Sequence, residues 1–332
     1  MIIMKDISIK MNSYIKDINS RLEFNISSKD TTINNTIVNC MRRVALSLIP
    51  VYSFNNITIS ENTSIFNNNY MKLRLRNLPV LGISSEQAIF IRNKKDANIN
   101  DEEFNGIMDN EIEMPMDEKL NSSSLKQLTL YLDYVNNTND IVTVGTNNCK
   151  FYYAEKQIES PYSINIPIIK LQPKQKIKLS AITEIGIEDD NAIYSPVSIF
   201  SFKENDHNNY DIMIESRGQL DEKTILNYAI DNIVNMLDNF ILLIPDNNSI
   251  NAKILLDDAD HTIGTLIVLG LQNHKKIKFA GYSMPHLLDK KILFQYELVE
   301  EYNIKTIMED IVSLYKKTFE TINDSINQHI KY

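Results

Sequence analysis

The order of its hydrophobic patterns constrains this chain more than any single motif does, because residues 251–332 repeat the plan of residues 1–245. In the tail a strand ("NAKILLD") leads to a helix ("DHTIGTLIVLGLQ"), two strands ("KIKFAGYSM" and "KILFQYELVEE") and a long final helix ("IKTIMEDIVSLYKKTFETI"). The longer first part opens on strands ("MKDISIK" and "RLEFNIS"), passes through a helix inside "NNTIVNCMRRVALSLIPVYSF", returns to strands, and closes on a helix inside "RGQLDEKTILNYAIDNIVNMLDNFILLIP". The two first helices even match locally, "NTIVN" at 35–39 against "HTIGT" at 261–265. Two halves of like α+β plan on one chain predict a pseudo-two-fold pair, each half burying a helical face against the other. Such a fused dimer needs no second copy to close its core.

The helical faces can be read residue by residue. In the first helix Thr36 is the expected cap, and Pro50, which has no amide hydrogen to donate, sets the end. Ile37, Val38, Met41, Val44, Ala45, Leu48 and Ile49 fall on one stripe, whereas Arg42 and Arg43 lie roughly 140° and 240° around from Ile37, near Asn39 and Leu46. This basic face is open to two readings: a solvated surface, or an anchoring surface that uses arginine's bidentate pairing with carboxylates. In the second helix Asp221 and Glu222 sit where a helix N-terminus favours negative charge, Leu226, Ile230, Ile233, Leu237 and Ile241 recur at steps of three and four, and Pro245 marks the end. In the tail, Ile263 and Ile267 extend the apolar packing set. Gly264 and Gly270, each costing up to about 1 kcal/mol in a helix interior, are expected to allow close backbone approach where the halves cross.

Between these helices, "VYSFNNITISEN" and "NYMKLRLRNLPVLGI" have the β-branched, aromatic and period-two character of strands. From 85 to 168 the chain becomes acidic and turn-rich between strand-like "AIFIRN" and "LTLYLDYV", which predicts a mainly β insert with an acidic loop from Asp101 to Glu118. Alternation returns in "KQKIKLSAITEIGI", where Ile177, Leu179, Ala181, Ile185 and Ile187 share a side on which Thr183 is the polar exception. The expected division is therefore a first dimerisation-type half of 1–84 with 169–245, an insert at 85–168, a joint at 246–250 and a second half at 251–332.

Composition narrows the function. A net charge of −9 and a pI near 5.2 argue against direct, specific DNA binding, which depends on clustered Lys and Arg. The two cysteines, Cys40 and Cys149, have no close cysteine neighbours and predict neither a metal centre nor a disulfide framework. The apolar start is too short for a signal peptide, and runs such as "FILLIP" fall short of the roughly 18 residues of a membrane span, so an intracellular chain without a membrane segment is expected.

One stretch, "NTIVNCMRRVALSLIPVYSFNNITISENTSI", resembles the signature of the assembly subunits of multisubunit RNA polymerases: the bacterial alpha type, the archaeal D type and the third subunit of eukaryotic polymerase II. The resemblance rests on Asn39, Arg42, Arg43, Ile49, Pro50, Glu61, Asn62 and Thr63, and continues through "YMKLRLRNLPV", "QKIKLSAITEIGIEDDNAIYSPVSIFSF" and "YDIMIESRGQL". The tail is similar to a second kind, the eleventh-subunit or archaeal L type, in Asp258, Asp260, His261, Thr262, Ile263 and Gly264, then Ala280, Gly281, Tyr282, Pro285 and His286. A fused version resembles what large nucleocytoplasmic DNA viruses encode.

This resemblance implies a non-catalytic platform on which the two largest polymerase subunits assemble, together with small subunits like the tenth and twelfth, with no cofactor, no metal and no membrane. If viral, it belongs in the host cytoplasm and the virion. Asn39, Arg42, Arg43 and Leu46 are the expected large-subunit contacts, and Ile37, Met41, Val44, Leu48, Leu226, Ile230, Ile233, Leu237, Ile263, Gly264 and Ile267 the packing between halves. The cysteine cluster that many third-subunit relatives carry is missing, so no zinc or iron–sulfur site is carried over. Two alternatives remain: a metal-dependent enzyme using the Asp257–His261 cluster, against which helix capping by Asp260 weighs more heavily, and a free-standing regulatory adaptor. His261 and His286 are read as packing or hydrogen-bonding residues, since no nucleophile or orienting acid accompanies them.

Overall fold

The computed structural model describes residues 7–16, 20–29, 32–81, 127–154, 156–257, 261–286 and 291–331. The strand expected in "AIFIRN", the acidic loop from Asp101 to Glu118, and Asp258 and Asp260 lie outside them. In chain order the elements are β1 (Ile7–Ile15), β2 (Arg21–Ser28), α1 (Asn35–Ser47), β3 (Val51–Asn62), α2 (Asn68–Arg76), β4 (Leu128–Val135), β5 (Val142–Gly145), β6 (Cys149–Tyr153), β7 (Lys156–Ile158), β8 (Pro167–Leu171) and β9 (Lys176–Gly186). There follow β10 (Val197–Asp206), β11 (Asn209–Ser216), α3 (Glu222–Leu243), β12 (Asn251–Asp257), α4 (His261–Gln272), β13 (Ile277–Ser283), β14 (Lys291–Leu298) and α5 (Ile304–His329).

Two compact units result, one of residues 1–49 with 195–332 and one of 50–194. The second unit is wider than the 85–168 insert expected from composition. The reason is β9, which pairs with both β3 and β4 and so draws residues on either side of the expected insert into one five-stranded sheet, β3-β9-β4-β6-β7. Its alternation buries Ile177, Leu179 and Ala181, and the buried Thr183 belongs there because its hydroxyl accepts the Leu128 amide at 3.0 Å. A two-stranded β5-β8 ribbon and α2 are also among the described residues of this unit. The "NYMKLRLR" stretch, expected as strand, is helical: Asn67 accepts the Tyr70 amide at 2.8 Å, and Met71, Leu75 and Leu78 turn one side into the core.

The first unit holds both repeats, and their topologies match. Strands β2, β11 and β10 run in that order in a four-stranded antiparallel sheet, with β1 on the outer edge of β2; β12, β14 and β13 run in the same order in a three-stranded one. In each, the strand before the helix pairs with the second strand of a hairpin. Leu22, Phe24 and Ile26 face Ile214, Ile212 and Tyr210, as Leu256, Ile254 and Ala252 face Ile292, Phe294 and Tyr296. Even the irregularities coincide, since register shifts between Val197 and Ile199 in β10 and between Ile277 and Phe279 in β13, at the same place in each hairpin. Inserted residues of this kind sharpen twist and bend a strand. The fold is α+β, with two dimerisation-type halves in one chain.

Candidate interaction site

α1 forms where apolar side chains recur at helical spacing and stop before Pro50. Its cap is Asn34 rather than Thr36: Asn34 has an extended backbone and accepts the Ile37 amide at 3.1 Å, so the helix begins earlier than expected. Ile37, Val38, Met41, Val44 and Ala45 are buried, and α1 packs on α3 and β10 of its own half and on α4 of the other. Leu48 is half-buried at the C-terminus, where its carbonyl accepts the Asn232 side-chain amide at 3.0 Å. On α3, Leu226, Ile230, Ile233 and Leu237 are buried, while Ile241 is half-buried and Phe240 takes its place in the core. On α4, Ile263, Gly264 and Ile267 are buried.

The arginines part company. Arg42, half-buried, is held by its own helix through a 3.0 Å bond from Nε to Asn39 Oδ1. Arg43 reaches across to the other repeat, where its Nε donates to Thr262 Oγ1 at 2.8 Å, and Thr262 is only 5% exposed. Thr36, Asn39, Cys40 and Arg43 of α1 and His261, Thr262 and Thr265 of α4 line a cleft of roughly 80 Å³. Thr36 and Thr262 are matched positions of the two repeats, as are Asn39 and Thr265, so the cleft is where like faces of like helices meet. The arginines break that likeness, because Val268 and Leu269 stand at their positions in α4.

The tail's two motif segments converge on Tyr282. Its hydroxyl lies 2.7 Å from Thr265 Oγ1 and 3.1 Å from His261 Nδ1, and its ring leans on Phe294, which meets Phe240 of the first half edge-on at 5.8 Å. Gly264 and Gly270 do not serve the crossing of the halves. A Cβ on Gly264 would come within 2.9 Å of Ile292 Cδ1 and 3.0 Å of Tyr282 Cδ2, and one on Gly270 would strike Ile311 and lie 3.2 Å from Tyr315 Oη. Both glycines therefore admit close packing inside the second half, of α4 on its own sheet and on α5.

α5 is longer than the pattern "IKTIMEDIVSLYKKTFETI" suggested, since Ile326 continues its buried face and Lys223 of α3 donates to the carbonyls of Asn327 and Ile330 at 3.2 and 3.1 Å. Lys223 and Phe240 are cross-half contacts that sequence reasoning missed, because neither stands out from its helix until the partner helix is in place. Of the acidic cluster before α4, Asp257 pairs with Lys291 at 3.0 Å on the surface. Burial pushes the Cys149 thiol up to about 12, so it is held in its protonated, unreactive form.

Comparison with known proteins accords with this geometry. Residues 251–325 match the RNA polymerase Rpb3/Rpb11 dimerisation domain. The chain is 26% identical over 327 residues to the DNA directed RNA polymerase subunit R470 of Acanthamoeba polyphaga mimivirus, covering 92% of this chain and 90% of that one. It is 26% identical over 170 residues to subunit 3 of the DNA-directed RNA polymerases II, IV and V of Arabidopsis thaliana, covering 50% of this chain and 49% of that one. A shorter match, 32% over 72 residues, is to subunit RPAC2 of the RNA polymerases I and III of Caenorhabditis briggsae, covering 22% of this chain and 50% of that one. The matches to both kinds of subunit on one polypeptide fit the duplicated topology: the chain is similar over most of its length to an RNA polymerase subunit, and residues 251–325 match the Rpb3/Rpb11 dimerisation domain.

Proposed function

We propose that this chain is the non-catalytic assembly platform of a DNA-directed RNA polymerase, a heterodimer of subunits made permanent by fusion. The observation that carries the reading is the dimerisation domain at 251–325 packed, through α4 and α5, on α1 and α3 of the preceding half of the same chain. A platform of this kind exists without a second-order association step, so its concentration sets assembly directly. The two largest subunits are recruited to it, with small subunits like the tenth and twelfth. Asn39, Arg42 and Leu46 belong to the large-subunit contact, with Arg42 oriented by Asn39; Arg43 contributes through α4, which it holds. The likeness to the mimivirus subunit supports a viral source; with such a source, the host cytoplasm is the proposed working compartment and the virion the proposed carrier.

Affinity purification of the tagged chain from its native source tests the reading. The two largest polymerase subunits should be recovered in stoichiometric amounts, and Arg42→Glu should lower the recovery of one of them about tenfold while the thermal melt of the isolated chain stays unchanged. Purification without any polymerase subunit would overturn the platform reading. Full recovery with Arg42→Glu would remove Arg42 from the contact.

A further inference from the structure

α2 in the second unit has two worked faces, and only one is used. Met71, Leu75 and Leu78 are buried beneath it, yet Tyr70, Leu73, Arg74 and Asn77, at helical steps of three and four, line the opposite side, with Leu73 57% and Tyr70 39% accessible. The loop before the helix adds Ile65, 73% exposed, and Phe66, whose ring stacks on Tyr70 at 4.7 Å. This surface is pre-ordered. The Arg74 guanidinium lies 6.0 Å from the Tyr70 ring centre, and one of its N–H groups donates to the Pro167 carbonyl at 3.1 Å. Rigid Tyr and Arg side chains framed by aliphatic ones are the composition of binding hot spots, because they contribute contact area at little entropic cost.

Charge says what fits there. In a chain of net charge −9, residues 62–85 contain no Asp or Glu, while α2 alone carries Lys72, Arg74 and Arg76. Among the described residues none of these three cations is in an ion pair. We infer that the exposed face of α2 docks an acidic segment of another polymerase subunit, with an apolar side chain seated between Tyr70 and Leu73 and a carboxylate on Arg74. The inference rests on the platform reading and names a contact beyond α1. Exposed aliphatic Leu73 and Ile65 favour polypeptide over single-stranded nucleic acid, whose bases stack on aromatic rings but gain little from isolated aliphatic side chains.

The test uses the complex purified from the native source, with a photo-crosslinking amino acid replacing Tyr70 and, separately, with Leu73→Asp and Arg74→Glu in the intact chain. All three positions are exposed, so the melting temperature of each variant should match the parent. The expected result is one crosslinked peptide from another subunit, rich in Asp and Glu, and at least about tenfold lower recovery of that subunit with either substitution. Crosslinks to nucleic acid, to a second copy of this chain, to a peptide without acidic residues, or to nothing, would each overturn the α2 assignment. If polymerase subunits co-purify undiminished with both variants, only the α2 assignment fails; if none co-purifies even with the parent chain, the platform reading fails with it.

Discussion

Removing the Thr262 hydroxyl takes away one bond between α1 and α4, the one that Arg43 Nε donates, and leaves the rest of the cleft in place. Because Arg43 is exposed and water can take over the lost bond, Thr262→Val should cost only about 1 kcal/mol, read as a lower urea midpoint at unchanged slope. Gly270→Ala acts in the opposite sense to helix propensity. Alanine favours the helix by up to about 1 kcal/mol, but its methyl meets the packed Ile311, and overpacking of about 1–3 kcal/mol should win, so a net loss is expected in the same denaturation assay. A gain would mean that Ile311 has room to move. At Cys149 the sign is set by burial: a thiol raised to about 12 stays protonated at pH 8, and alkylation in the folded chain should run at least about a hundredfold slower than for a free cysteine. Arg43 and Thr262 are visible in the sequence as members of separate motifs, with no hint that they touch, because that contact exists only once two helices far apart in the chain have docked.

Helices and strands are legible where one periodicity dominates. α1, α3 and α5 carry long apolar stripes, and β9 alternates cleanly until its single polar position, which is filled by a hydroxyl with a buried amide to accept. α2 is hidden because "KLRLR" alternates apolar and basic residues like a strand. The alternation arises from one buried leucine, Leu75, and one exposed leucine, Leu73, on opposite sides of a helix, and only the i, i+4 pair Met71 and Leu75 carries the true period. The α1 cap is similarly close to its neighbours: Asn34, Asn35 and Thr36 all have capping side chains, and pattern alone does not separate them. Asn34→Ala should therefore destabilise the chain by about 1 kcal/mol, whereas Thr36→Ala should change it by a few tenths, and a reversed order in chemical denaturation would move the helix start back to the sequence-based expectation.

For the whole molecule the duplication is the organising fact, and it goes deeper than the order of elements. Matching strand order, matching inward rows and a matching register shift mean that the two halves solve the same packing problem in the same way, and they differ at Arg42 and Arg43 against Val268 and Leu269. What holds them together is distributed: α1 on α4, α3 on α5, α5 on β1, the Phe240–Phe294 ring pair, and Lys223 on the last carbonyls of α5. The covalent joint contributes less to holding the halves than to tethering them at high effective concentration. It is itself bound to the tail, since Asn247 and Ile250 carbonyls accept the Ile304 and Leu298 amides at 3.0 and 2.7 Å. Specific cleavage engineered between Asp246 and Ile250 in the folded chain should then yield two fragments that co-elute on size exclusion and melt in one transition, at a temperature that rises with concentration as a dissociable dimer's does. Separation into two folded monomers would show that each half closes its own core, and the helical faces between them would need another explanation.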